Sequence, residues 1–207
     1  MDMRLKYLIP FLLVIYACSE RQNDLKEVAS YFSENQPVSG IYRNLDGIYS
    51  SLNDLKDRHP EKVRFYEIGQ GVRSGRQIPL VRIDWSTGTD PVRLLFVAGT
   101  HGNEAAPVEA MMFVLEKLLS DTPVPGNFVL DFVPVHNPDG YAENERENGA
   151  GVDLNRDFPV CKSDSQMQPE TEALMGLING LQYKASLFFH SGNEKKYENL
   201  VRVPMEF

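Results

Sequence analysis

Val92-Arg93-Leu94-Leu95-Phe96-Val97-Ala98-Gly99-Thr100-His101-Gly102-Asn103-Glu104 is the stretch on which the reading of this chain turns. From Val92 to Ala98 the run is apolar apart from Arg93, as suits a strand buried on both faces, and Thr89-Asp90-Pro91 before it and Gly99 after it mark its ends. Pro107 suits the first turn of a helix running to about Leu119. A His and a Glu three residues apart therefore stand at a strand-to-helix turn, a place to hold a metal. A zinc ion that catalyses takes three protein ligands and leaves a fourth position for water, so another His or carboxylate must come from elsewhere. His190 is the candidate. His-x-x-Glu alone arises often by chance, and its meaning depends on the residues that accompany it.

Working outward, Leu45, Ile48, Tyr49, Leu52 and Leu55 recur at helical spacing from Asn44 to Arg58; His59 is read as a C-terminal cap and Pro60 as the stop. Val63 to Ile68 and Ile78 to Trp85 read as strands of an antiparallel hairpin joined through Gly69, Gly71 and Gly75. Phe128 to Val135 and Ala185 to Phe189 read as further strands, the second preceded by a helix from about Pro169 to Tyr183 in which Glu170 and Glu172 favour the helix dipole. The expectation is an α/β domain. Polar clusters at His101 to Glu104, His136 to Tyr141 and His190 to Asn193 each come directly after a strand, and open α/β sheets bind ligands at strand C-terminal ends. The connection from His136 to Met167 is long, and such loops are usually functional. Within it His136 and Asp139 form a His-x-x-Asp that could rival the first motif.

Composition bounds the function. The chain has 207 residues, 42% of them hydrophobic, enough for one buried core. Its net charge of −8, without a basic cluster, excludes sequence-independent nucleic-acid binding. Cys18 and Cys161 supply neither a disulfide framework nor a cysteine-rich zinc module. Arg4 and Lys6 precede an apolar segment, Tyr7 to Tyr16, that is short for a bilayer span and suits a secretory signal. Val14-Ile15-Tyr16-Ala17-Cys18 resembles a bacterial lipobox. The expectation is a signal peptide over residues 1–17, lipid attachment at Cys18, a tether over 18–37 with a marginal helix around Leu25 to Phe32, and a domain over 38–207. That places the protein in the bacterial cell envelope, exported and held to the membrane by lipid.

Four blocks then carry a likeness: Gly99-Thr100-His101-Gly102-Asn103-Glu104, Asn137-Pro138-Asp139-Gly140-Tyr141, Gly151-Val152-Asp153-Leu154-Asn155-Arg156-Asp157-Phe158-Pro159 and Pro169-Glu170-Thr171-Glu172-Ala173. In this order they resemble the zinc metallocarboxypeptidases of the carboxypeptidase A, carboxypeptidase D and bacterial murein-peptide amidase type, over about Ile41 to Gly192. The resemblance implies a three-layer, phosphorylase/hydrolase-like fold with a mixed sheet flanked by helices. It implies one Zn2+ held by His101, Glu104 and His190. Asp153 corresponds to the carboxylate that accepts a hydrogen bond from the first zinc-bound His, Asn155 and Arg156 to the pair that clamps a substrate's terminal carboxylate, and Arg146 to the Arg that stabilises the oxyanion.

The activity implied is hydrolysis of a peptide or peptide-like amide near a free C-terminal carboxylate, with cell-wall (murein) peptides as a substrate class. In the family the general-base Glu and a substrate-contacting Tyr lie well beyond the last ligand. Here Ser191 to Phe207 succeeds His190, and Glu194, Glu198 and Glu206 lack the matching context. The sequence expectation is thus a domain lacking its C-terminal strands and turning over little on its own. Two alternatives stay open. An aspartoacylase-type acylamino-acid amidohydrolase shares His-x-x-Glu and a distant His, although Asn137 to Tyr141 and Asp157-Phe158-Pro159 favour the peptidase. A catalytically inactive homologue would bind zinc and peptide without turnover.

Overall fold

In the computed structural model, which describes residues 42–120, 126–159 and 166–191, the helical spacing of Leu45, Ile48, Leu52 and Leu55 becomes helix α1, Leu45–Arg58, with those four residues buried. Asn44 caps it by accepting from the Gly47 N–H at 2.8 Å, and the His59 backbone N–H closes the other end on the Leu55 carbonyl. The hairpin forms as expected: β1, Val63–Gln70, pairs antiparallel with β2, Gln77–Trp85, and a bulge between Glu67 and Gly69 shifts its register. The apolar run ahead of Gly99 becomes β3, Val92–Val97. Helix α2, Ala105–Ser120, comes next with Pro107 in its first turn, then β4, Phe128–Val133.

The long connection is not structureless. It contains α3, Pro138–Glu143, capped by the Asn137 side chain, and a short 3₁₀ turn, Leu154–Arg156, capped by Asp153. Helix α4, Pro169–Leu181, and strand β5, Ala185–Phe188, complete the described residues. Cys18, the tether, Cys161, Glu194, Glu198 and Glu206 lie outside them. Among the described residues no helix is long and apolar enough to cross a membrane.

The sheet order is β1-β2-β4-β3-β5. β2 meets β4 antiparallel, and β3 lies parallel to both β4 and β5, so the sheet is mixed. Alternation along each strand divides the core in two. On one face Val81, Ile83, Leu130 and Phe132 pack against α1 and α2; on the other Ile78, Leu80, Leu95, Val97 and Val133 pack against Leu174 and its neighbours in α4. The result is the three-layer arrangement anticipated from the sequence. On the α4 face Asp131 is fully buried and is held by a two-pronged Arg82 guanidinium, 2.7 Å at each oxygen, and by the Tyr183 hydroxyl. This pairing makes a charge tolerable in the middle of a sheet.

Candidate metal centre

β3, β4 and β5 all point their C-terminal ends to one edge, which brings the three polar clusters together. Beyond β3 the chain turns at Gly99, whose φ of 62° is left-handed and would strain a side chain, and which packs closely against the Val135 Cα and the Pro134 carbonyl. Gly102 lies against the Gly140 backbone of α3 so closely that a Cβ would overlap it. These two glycines let the turn sink into the fold with His101 only 3% exposed. The Glu104 N–H donates to the His101 carbonyl at 3.2 Å, so His and Glu share one turn immediately before α2. His190 arrives from β5, where Phe189 N–H continues the pairing to the Val97 carbonyl.

The ligand atoms of His101, Glu104 and His190 lie within 4.8 Å of one another. Nδ1 of His101 is 2.9 Å from Glu104 Oε1 and 3.2 Å from His190 Nδ1, and His190 Nδ1 is 3.0 Å from Glu104 Oε2. Two ligand atoms on a tetrahedral zinc at about 2.0–2.1 Å stand about 3.3 Å apart, so the set is already near the required spacing. The donors also fit a cation by their chemistry. His101 has a carboxylate oxygen at each ring nitrogen, Glu104 at Nδ1 and Asp153 at Nε2, the latter 3.1 Å away. A neutral imidazole carries one N–H and ionised carboxylates only accept, so satisfying both contacts takes either a second ring proton or a cation at the Nδ1 side. Burial of Glu104 opposes its ionisation, yet hydrogen bonds and charge from His101 and His190 prevail and hold its carboxyl down at about 2. It is anionic at neutral pH, as a ligand must be.

Asp153 and Arg146 join the same cluster. Burial works against the Asp153 carboxylate, but the charges of His101 and Arg146 outweigh it and lower its pKa. Arg146 places Nε 3.0 Å from Asp153 Oδ2, while its Nη1 reaches to 3.3 Å from His101 Nδ1 and 3.9 Å from Glu104 Oε1. The guanidinium is thereby anchored at one end and aimed at the ligand cluster with the other. Asn155 and Arg156 sit on the 3₁₀ turn directly after Asp153, Asn155 half-buried and Arg156 exposed, with the Asn155 N–H donating to Asp153 Oδ1 at 2.9 Å. His136 stays out of the cluster: fully buried, it faces Thr100 Oγ1 through Nδ1 and donates from Nε2 to the Glu170 carbonyl at 3.1 Å. Burial pushes its pKa down to about 4, so it is neutral.

Two contributions were not legible. The Ser191 N–H donates to Glu104 Oε2 at 3.0 Å, a backbone contact that no residue type announces. Asn148 winds the loop ahead of Asp153 about its side chain, for which the Asn148-Gly149 turn dipeptide was the available signal.

Residues 48–197 match the zinc carboxypeptidase family, peptidase M14. Over 184 residues the chain is 27% identical to carboxypeptidase SOL1 of Arabidopsis thaliana, an alignment taking in 80% of this chain and 37% of that protein. Over 193 residues it is 25% identical to human carboxypeptidase D, taking in 83% of this chain and 14% of that one. The chain thus spans well under half the length of these relatives. Carboxypeptidase A of Helicoverpa armigera superposes with a TM-score of 0.65 at 20% identity, covering 84% of this chain and 54% of its own. A metallo-carboxypeptidase of Burkholderia cenocepacia superposes with a TM-score of 0.62 at 19% identity, covering 71% of this chain and 40% of its own. Both superpositions speak to the fold.

Proposed function

The chain belongs to the zinc carboxypeptidase family, and on that premise we propose that it acts on peptides or peptide-like amides at a free C-terminal carboxylate, with one zinc ion held by His101, Glu104 and His190. The observation that carries this reading is the convergence of those three side chains with Asp153 and Arg146 at one strand edge. Zinc bound there supplies Lewis acidity and a water whose pKa falls to about 7. Asp153 accepts a hydrogen bond from His101 Nε2–H, which fixes the tautomer whose Nδ1 lone pair faces Glu104 and His190, where the metal would be held. Arg146, anchored to Asp153 through Nε and Nη2, offers Nη1 to negative charge developing on a scissile carbonyl oxygen. Arg156 is exposed, with Nη1 donating to the Asn155 carbonyl at 3.2 Å, and its planar fork can grip a terminal carboxylate through two bonds, with the neighbouring Asn155 side chain as a further donor. Cell-wall peptides are the substrate class we favour.

Calorimetry with the zinc-loaded chain tests this, using a blocked dipeptide that ends in a free carboxylate and the same peptide ending in an amide. The carboxylate form should bind at least about tenfold more tightly, in line with a charge-assisted pair, and Arg156→Ala should erase the difference. Equal binding of the two peptides would contradict the reading.

Export with lipid attachment at Cys18 is part of the same proposal, supported by Arg4, Lys6, the short apolar segment and Ala17-Cys18. Expressed in a bacterium, the protein should label with fatty acid and Cys18→Ser should not; equal labelling, or none in either, would remove the anchor.

A further inference from the structure

At the start of α4, Glu170 is a fully buried carboxylate with no cationic hydrogen-bond partner among the described residues. The helix dipole favours an acid there but does not account for its burial. Instead Glu170 ties three segments. Its Oε1 accepts from the Val72 N–H in the β1–β2 loop at 2.8 Å, its Oε2 accepts from Asn148 Nδ2 at 3.2 Å, and its backbone carbonyl receives the His136 Nε2–H. Asn148 is itself buried and fully engaged. Its Oδ1 accepts from both the Ala150 and Val152 N–H groups at 3.0 Å, its backbone N–H donates to the Val152 carbonyl at 2.9 Å, and Gln168 Oε1 takes a second Nδ2 bond at 3.1 Å. A four-residue loop is thus wound around one amide and delivers Asp153 at one end and, two residues ahead of Asn148, Arg146 at the other.

We infer that Glu170 is a positioning residue, whose carboxylate orients Asn148 so that the loop aims Asp153 and Arg146 at His101. The inference rests on the zinc reading above. It makes a specific demand on polarity. In Glu170→Gln one acceptor becomes a donor, and whichever way the new amide faces, a donor meets a donor, at the Val72 N–H or at Asn148 Nδ2. Asn148 cannot turn to help, because its Oδ1 is committed to two backbone amides. Asn148→Asp alone sets two buried carboxylates against each other. Combined, the two substitutions restore a donor facing an acceptor, with Gln168 turning its own amide to donate.

Zinc dissociation constants by competition with a chromophoric chelator, beside metal-free thermal midpoints, decide the matter for the whole chain and the three variants. Each single substitution should weaken zinc about tenfold, the low end of what loss of an outer-shell partner costs, and the double variant should return to within about threefold of wild type. A purely structural Glu170 would lower the metal-free midpoint while the folded protein kept its zinc affinity, and that result would overturn the proposal. So would a double variant, folded or not, that is no better than the worse single one. Should a single variant fail to fold, recovery of both fold and zinc affinity in the double variant upholds it. A wild-type chain that holds no zinc fails in the first arm, marking the metal reading itself as wrong and removing the proposal with it.

Discussion

The two halves of the candidate metal centre are built by different means. His101 and Glu104 come from a single turn, pinned below by Gly99 and Gly102, flanked by Asp153 and Arg146, and backed by the His136–Thr100 contact. His190 comes just after β5, whose strand partner among the described residues is β3, and its side-chain contacts run to His101 and Glu104. One half is preorganised by local sequence and a polar network. The other depends on long-range pairing, so a metal bridging the two would secure β5 as well as complete the site.

This contrast sets the largest expected effect. His101→Ala and His190→Ala should each weaken zinc binding by well over 100-fold, more than the 10–100-fold typical of an outer partner. Without metal they should part company. His101→Ala empties a buried position and removes one of the partners of Asp153, so it should lower the metal-free thermal midpoint more than His190→Ala, whose ring is partly exposed. Zinc at about 100 times its dissociation constant should add about 2.7 kcal/mol of stability, with the gain in amide-exchange protection largest in β5. Equal protection across β3 and β5 would break the contrast.

Next in size is Asp153→Asn. It should cost 10–100-fold in zinc affinity by releasing the His101 ring, while leaving β5 exchange in the metal-free protein unchanged. An unaltered zinc affinity would show that the turn alone orients His101.

Much of this was legible, and unevenly. The helix at Leu45–Arg58, the hairpin and the central strands came from period and punctuation, signals that survive in any environment. His101, Glu104 and His190, which the structure brings together, were singled out because each comes after an apolar strand and the blocks around them match a known family. Sheet order was not readable, since the insertion of β4 between β2 and β3 is decided by which faces bury one another. Nor was α3, a six-residue helix too short to display a helical period. Glu170 was the instructive miss. At a helix start an acid has sufficient reason to be present, and only burial reveals that it also ties down two loops.

The smallest expected effect concerns pH and the preorganised half. With its pKa lowered from 6.5 to about 4 by burial, His136 stays neutral in the folded protein while the unfolded chain takes up a proton. Stability from this group is therefore complete above pH 6.5 and is lost as pH falls toward 4, on the order of 1 kcal/mol between pH 7 and pH 5.5. Denaturant titrations at those two pH values should show a shallower loss in His136→Asn than in wild type. Parallel losses would mean that His136 does not carry the effect.

X-ray absorption at the zinc edge, on metal-loaded wild type and on His190→Ala, addresses the centre most directly. Wild type should hold one zinc with two imidazole nitrogens at about 2.0–2.1 Å and carboxylate oxygen at about 2.0–2.2 Å, and the variant should lose one imidazole. A sulfur ligand at about 2.3 Å, or a spectrum unchanged in His190→Ala, would contradict the assignment of His101, Glu104 and His190 as the metal's ligands.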